Sequence, residues 1–135
     1  MMRLSRAMIF VKDLDRMADF YSYSLGLQRI DGGRTGNWVE FEAGGIGFAL
    51  HAIPTDIADT IEIALPPRAR EENPIKLTFE VDDLAAARVR LQSQGAEILD
   101  RPWGTCDAID PEGNVFRSLS PASNRSRQPT RVTIA

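Results

Sequence analysis

Along this chain the spacing of apolar positions switches from strand to helix twice, with the same landmarks each time. Residues 5–11 are largely apolar and read as a strand covered on both sides. From Leu14 the apolar positions Leu14, Met17, Tyr21 and Leu25 fall at helical spacing, with Ala18 and Phe20 beside them. Asp13 is placed to cap that helix, and Gly26 to end it in a left-handed conformation. The second passage runs from a strand at 76–81 into a helix capped by Asp83, with Leu84, Ala87 and Leu91 on one face and Gly95 as the stop.

Each helix is followed by three short strand segments. The first set is 27–31, then 37–42 after Gly32-Gly33, then 46–52 after Gly44-Gly45. The second is 97–101, then 105–109 after Pro102-Trp103-Gly104, then 114–120 after Asp110-Pro111-Glu112-Gly113. The two passages are related residue by residue. Arg6 to Leu14 is echoed by Lys76 to Leu84 at an offset of 70, and Gly45 to Leu50 by Gly113 to Ser118 at an offset of 68. A unit of that length is a duplicated module and not a solenoid repeat.

The predicted fold class is therefore α+β, with two βαβββ modules in tandem. A single domain covers 1–121: module one 4–53, a connection 54–74, and module two 75–121. The connection holds Pro66-Pro67 and the mixed run Arg68 to Asn73, is too long for a tight turn, and is expected to wrap over the surface, placed to close over a ligand. Residues 122–135 are polar and aperiodic and read as a flexible basic tail.

Composition narrows the function classes. The chain of 135 residues is 43% hydrophobic and 26% charged, as expected of a soluble globular protein, and is long enough to bury a core. Its net charge of −3 hides three arginines in the tail without an acid, so the body is more acidic than the whole. That argues against a nucleic-acid surface. No apolar run approaches the roughly 20 residues needed to cross a bilayer, and the first residues lack the apolar stretch of a signal peptide. A cytoplasmic location is expected, in keeping with a single Cys106, which has no intrachain partner and reads as buried and inert.

The Val-x-Asp-Leu helix start in each module, Phe20-Tyr21 followed by Leu25-Gly26-Leu27, and the Asp110-Pro111-Glu112-Gly113-Asn114 turn together resemble the vicinal oxygen chelate superfamily. That group includes glyoxalase I, fosfomycin-resistance proteins, extradiol dioxygenases, methylmalonyl-CoA epimerase and bleomycin-resistance proteins. The similarity spans residues 4 to about 121 and implies curved sheets around a central cavity, helices outside, and a homodimer that in some members exchanges modules. It also implies four metal-ligand positions, one on the first and one on the last strand of each module. Here they hold Arg6, Ala49, Lys76 and Arg117. Arg does not offer a lone pair, Lys does so only after a large pKa shift, and three cations repel a divalent metal. No metal and no other cofactor is expected.

Two readings of Arg6, Lys76 and Arg117 stand side by side: an anion-binding cluster, or internal neutralisation by Glu80, Glu40 and Glu42. His51, two residues beyond Ala49, is a candidate general base or a hydrogen-bonded structural residue. Trp38 and Trp103 lie beside glycines at strand margins, either flanking a cavity mouth or packing in the core. Met8 and Phe10 share the Arg6 face by alternation and give the cavity apolar walls. The leading expectation is a metal-free small-molecule binding protein, similar to bleomycin-resistance proteins, that sequesters an apolar or anionic ligand. The alternative is a lyase or isomerase of the same superfamily, with His51 or Glu80 moving protons and Arg6 or Arg117 stabilising an oxyanion. A third class is a module that binds a partner protein through a dimer face and the basic tail.

Overall fold

The computed structural model describes residues 1–103 and 105–121, and of residues 31–35 the backbone alone. The tail 122–135 and Gly104 of the expected turn lie outside the described residues. Module one runs β1 (Arg6–Val11), α1 (Leu14–Leu25), β2 (Gln28–Thr35), β3 (Trp38–Glu42) and β4 (Gly47–Ala52). A one-turn helix, α2 (Thr55–Ala58), opens the connection and was not legible as periodicity. Module two runs β5 (Leu77–Glu80), α3 (Leu84–Ser93), β6 (Ile98–Leu99), β7 (Cys106–Ile109) and β8 (Val115–Leu119).

The two modules form separate four-stranded sheets of the same topology, β1-β4-β3-β2 and β5-β8-β7-β6. In each, the first strand pairs parallel with the last, and the last antiparallel with the third. The crossover between parallel neighbours is long because it contains the helix and two further strands. The α+β class and the tandem βαβββ order are thus as expected.

Both helices begin as the capping pattern predicts. The Asp13 carboxylate accepts from the Arg16 amide at 3.1 Å, and the Asp83 carboxylate from Ala86 at 3.1 Å. Gly26 ends α1 at φ 70°, a left-handed conformation that glycine adopts without a Cβ penalty. One turn falls elsewhere than expected. Strand β2 continues through Gly32-Gly33, and the chain reverses at Gly36-Asn37, where Gly36 has φ 58°. The glycine pair is instead taken up in a register shift between Arg29 and Arg34, a bulge on an outer strand.

One core serves both modules. Helix α1 buries Leu14, Met17, Phe20, Tyr21 and Leu25, and the Tyr21 ring lies 5.0 Å from Phe48, 6.1 Å from Phe79 and 5.9 Å from Phe116. A helix of module one is thereby packed on strands of both sheets. The expected face of α3 is thinner: Ala87 and Leu91 are buried and Leu84 only half-buried.

Polar contacts tie the modules at one turn. The Tyr21 hydroxyl donates to Asp110 at 2.8 Å, and Asp110 also accepts from the amides of Glu112 and Asn114 and from the Asn114 side chain. Burial pushes the Asp110 carboxyl up, against the lowering effect of these donors. Burial, then the charge of Asp110, pushes the Tyr21 phenol well above its ordinary value, so it remains a donor. Two residues on, the buried Glu112 carboxylate accepts from the amides of Lys12 at 2.8 and 2.9 Å and Asp13 at 2.8 Å. The matching turn of module one reaches only itself, Glu42 accepting from Gly45 at 2.7 Å.

Replacing Glu112 by Ala strands two amides at the start of α1. Urea titration is expected to show a loss of about 2–3 kcal/mol, whereas Glu42→Ala, on the exposed turn, is expected to change stability by about 0.5 kcal/mol or less.

Candidate functional site

Strand alternation gives each sheet a face toward the helices and a face away from them. On the helix-free side of the first sheet, β1 presents Arg6, Met8 and Phe10, all exposed. Phe10, His51 and Trp38 form one cross-strand row, with Phe10 5.2 Å and Trp38 5.7 Å from the His51 ring. His51 Nδ1 lies 2.9 Å from the Ala52 carbonyl oxygen, which accepts only, so Nδ1 is assigned as the donor.

Arg6 reaches across β4 to Glu40 on β3, Nε to Oε2 at 3.0 Å, and its guanidinium lies 5.5 Å from the Trp38 ring centroid. Trp38 Nε1 donates to the other Glu40 oxygen at 3.3 Å. The pair can lie flat over β4 because residue 47 is glycine. A Cβ there would meet Glu40 Oε2 at 2.2 Å.

The second sheet repeats this ion pair with one addition. Lys76, just ahead of β5, reaches over β8 to Asp107 on β7 at 3.0 Å. Here β8 carries Arg117, whose Nε donates to the other Asp107 oxygen at 2.9 Å. Arg101, beyond β6, adds a third cation, Nε to Asp107 at 2.9 Å. Its Nη2 meets Glu71 of the connection at 2.8 Å, and its guanidinium lies 5.7 Å from the Trp103 ring centroid. Asp107 is 0% exposed. Burial would push its carboxyl up, but the hydrogen bonds from Arg117, Lys76 and Arg101 outweigh that and hold it well below the usual carboxylate range.

The expected trio is therefore divided: Lys76 and Arg117 share Asp107, while Arg6 belongs to Glu40 on the other sheet. Lys76 is not paired with Glu80, as one reading had it. Glu80 is exposed and lines a cavity at the seam between modules instead. Asp107 and Arg101 were missed. A signal for Asp107 was present: it faces Arg117 across the ladder as Glu40 faces Ala49, so each module places a carboxylate on its third strand beside its last-strand position. Arg101 carried no such signal, since β6 ends two residues earlier than the strand expected to contain it.

The residues at the four positions where the resemblance implies metal ligands do not fit a divalent metal. Three are cations engaged with carboxylates, the fourth is Ala49, and among the described residues no three His, Cys, Asp or Glu side chains form a metal-binding group. Cys106 is buried, which pushes its thiol up.

Two cavities lie where β1 and β5 flank the seam, and Ala7 and Leu77 line both. One, of about 650 Å³, has a mixed lining, with Leu25, Leu27, Phe48 and Phe79 beside Glu42, Glu80 and Asp82. The other, of about 310 Å³, is lined by Met8, Ile9, Ile75, Val115 and Phe116, with Asn73 from the connection. None of Lys76, Arg101, Asp107 and Arg117 lines this cavity; Val115, two residues before Arg117 and on the same face of β8, is the lining residue that points toward the Asp107 cluster.

Asp107 is depressed in the folded state, so its contribution to stability is present at neutral pH and is lost as the pH falls below about 4. Asp110, raised by burial, acts in the opposite direction. Asp107→Asn is expected to destabilise the protein by about 3 kcal/mol at pH 7, because three cations lose their shared anion. In urea titrations its deficit should shrink below pH 4, where the carboxyl of the unfolded wild-type chain takes up a proton that the folded one still resists; an unchanged deficit would show that Asp107 is not held ionised by the three cations.

A model of the Glyoxalase/Bleomycin resistance protein/Dioxygenase superfamily matches residues 3–117. Solved structures with a similar fold include a glyoxalase/bleomycin resistance protein/dioxygenase family enzyme from Burkholderia phytofirmans PsJN, 22% identical, with a TM-score of 0.65 over 86% of this chain and 96% of that one. A protein of unknown function from Agrobacterium tumefaciens is 27% identical, with a TM-score of 0.64 over 88% and 94% of the two chains. The fosfomycin resistance protein FosX of Listeria monocytogenes, solved with Mn(II) and sulfate, is 16% identical, with a TM-score of 0.66 over 89% and 90%. No curated protein matches the sequence. With the tandem βαβββ topology and a family match over most of its length, this chain belongs to the glyoxalase/bleomycin resistance protein/dioxygenase superfamily, the vicinal oxygen chelate group.

Proposed function

We propose that the protein binds and sequesters a small amphipathic anion, resting the ligand's apolar part in the seam cavity of about 310 Å³ and its carboxylate, phosphate or phenolate on Lys76, Arg101 and Arg117. One observation carries this reading: three cations converge on a single buried carboxylate. Asp107 neutralises one of them, so the cluster keeps an excess of positive charge. Arg117 spends its Nε on Asp107, which leaves its two Nη groups as a fork for an incoming anion, and Lys76 has three donors of which Asp107 takes one. The internal ion pairs and the anion site are then the same construction, since Asp107 orients the cations that receive the ligand. Met8 belongs to the apolar wall. Arg6, Phe10, Trp38 and His51 form a second, locally neutral surface on the other sheet, where Glu40 balances Arg6.

Binding without the metal chemistry of the superfamily follows from the donor set at the four ligand positions. A homodimer would extend the same faces, and the cytoplasm is the proposed compartment; among the described residues no helix is long and apolar enough to cross a membrane.

Calorimetric titration with octanoate, and with octylammonium as a probe of opposite charge, tests the reading. Octanoate is expected to bind and octylammonium not to, and Arg117→Ala is expected to weaken octanoate by about tenfold or more, the worth of a hydrogen bond to a charged group. Equal binding of the two probes, or an affinity unmoved by Arg117→Ala, would refute it.

A further inference from the structure

We infer that Glu71 sets the specificity of this site by holding the place of the ligand's anionic group, so that an incoming anion has to take Arg101 from it. The inference rests on the anion-site reading above and adds to it a residue on a different segment. Arg101 makes two ion pairs of unequal kind. One goes to Asp107, which is fully buried; the other goes to Glu71, whose side chain is 55% exposed. The first is part of the core of the sheet. The second faces water and is weak enough to exchange, as exposed ion pairs are.

The segment that carries Glu71 is seated on both sides of it. The Arg70 amide donates to the Gly113 carbonyl at 2.9 Å. Residue 113 admits no side chain, because a Cβ there would meet the Arg68 carbonyl oxygen at 2.2 Å and its φ is +84°. Three residues after Arg70, Asn73 forms part of the apolar cavity wall. Glu71 is thus delivered to Arg101 by a connection docked on the Asp110–Asn114 turn at one side and on the proposed ligand cavity at the other.

Charge gives the consequence. Lys76, Arg101 and Arg117 against Asp107 leave an excess of two positive charges, and Glu71 removes one of these. A singly charged anion with only two acceptor oxygens, such as acetate, gains little by exchanging with Glu71. A phosphate, with more charge and more acceptor oxygens, replaces Glu71 on Arg101 and also engages the free donors of Lys76 and Arg117. Glu71 therefore selects for multiply charged or multidentate head groups.

Titration with inorganic phosphate, followed by amide chemical shifts in the intact chain, tests the inference. Glu71→Gln keeps the size and the exposure while removing the charge, and it is expected to bind phosphate about two- to fivefold more tightly than wild type, the range set by an exposed ion pair. It is also expected to narrow the preference for phosphate over acetate. Glu72→Gln, a neighbouring exposed acid without this ion pair, controls for long-range charge and is expected to leave the affinity unchanged. If wild type binds phosphate, Arg117→Ala abolishes that binding, and Glu71→Gln binds no better than wild type, the role of Glu71 is overturned and the anion site stands. An equal gain in Glu72→Gln also overturns it. Failure of both wild type and Glu71→Gln to bind phosphate overturns the inference together with the site it rests on.

Discussion

Two buried carboxylates of one turn, Asp110 and Glu112, carry most of the side-chain hydrogen bonds between the modules among the described residues, and the geometry of the whole chain hangs on them. Asp110 receives the Tyr21 hydroxyl and three donors of its own turn, while Glu112 closes over the amides where β1 becomes α1. Neither acid can be moved without leaving buried donors unpaired, so the turn fixes where module two sits against module one. That placement brings Tyr21 into an aromatic core shared by both sheets and leaves β1 and β5 flanking a seam. It also supplies the Gly113 carbonyl on which the connection docks.

With the modules held there, their difference becomes chemical. Both place a cation ahead of or at the start of the first strand and a carboxylate on the third, and the two meet over the last strand. In module one that strand offers Gly47 and Ala49 and adds nothing, so Arg6 and Glu40 balance. In module two it offers Arg117, and Arg101 joins from beyond β6. One construction thus yields a locally neutral surface on one sheet and a positive one on the other. The cost of burying Asp107 is met by three donors, and its strongly lowered pKa is the mark of that arrangement.

The fold was legible because its determinants are local and repeated. Asp13 and Asp83 cap their helices, Gly26 and Gly95 end them, and the Asp-Pro-Glu-Gly turn punctuates the last strand, each readable from residue type and spacing. The Gly32-Gly33 pair misled because glycine marks a bulge as readily as a turn, and only the pairing with β3 decides between them. The site was half legible. Register located Lys76 and Arg117, but it placed Arg6 with them, because repeat equivalence says which positions correspond and not which lie together. Asp107 escaped notice as one acid within a short apolar strand, although its counterpart Glu40 had been weighed as a partner. Arg101 and Glu71 depend on how two irregular segments meet in space, and no periodicity encodes that.

A crystal of this protein soaked with 4-bromobenzoate would test the central claim most directly, since the bromine locates the ring by anomalous scattering and the carboxylate reports the head-group position. The account predicts the carboxylate within hydrogen-bonding distance of Lys76 Nζ and the Arg117 guanidinium, with the ring in the cavity lined by Met8, Ile75 and Val115. A ligand bound elsewhere while that cluster stays closed on Asp107 and Glu71, or a carboxylate held on a metal coordinated by His51 and its neighbours, would contradict it.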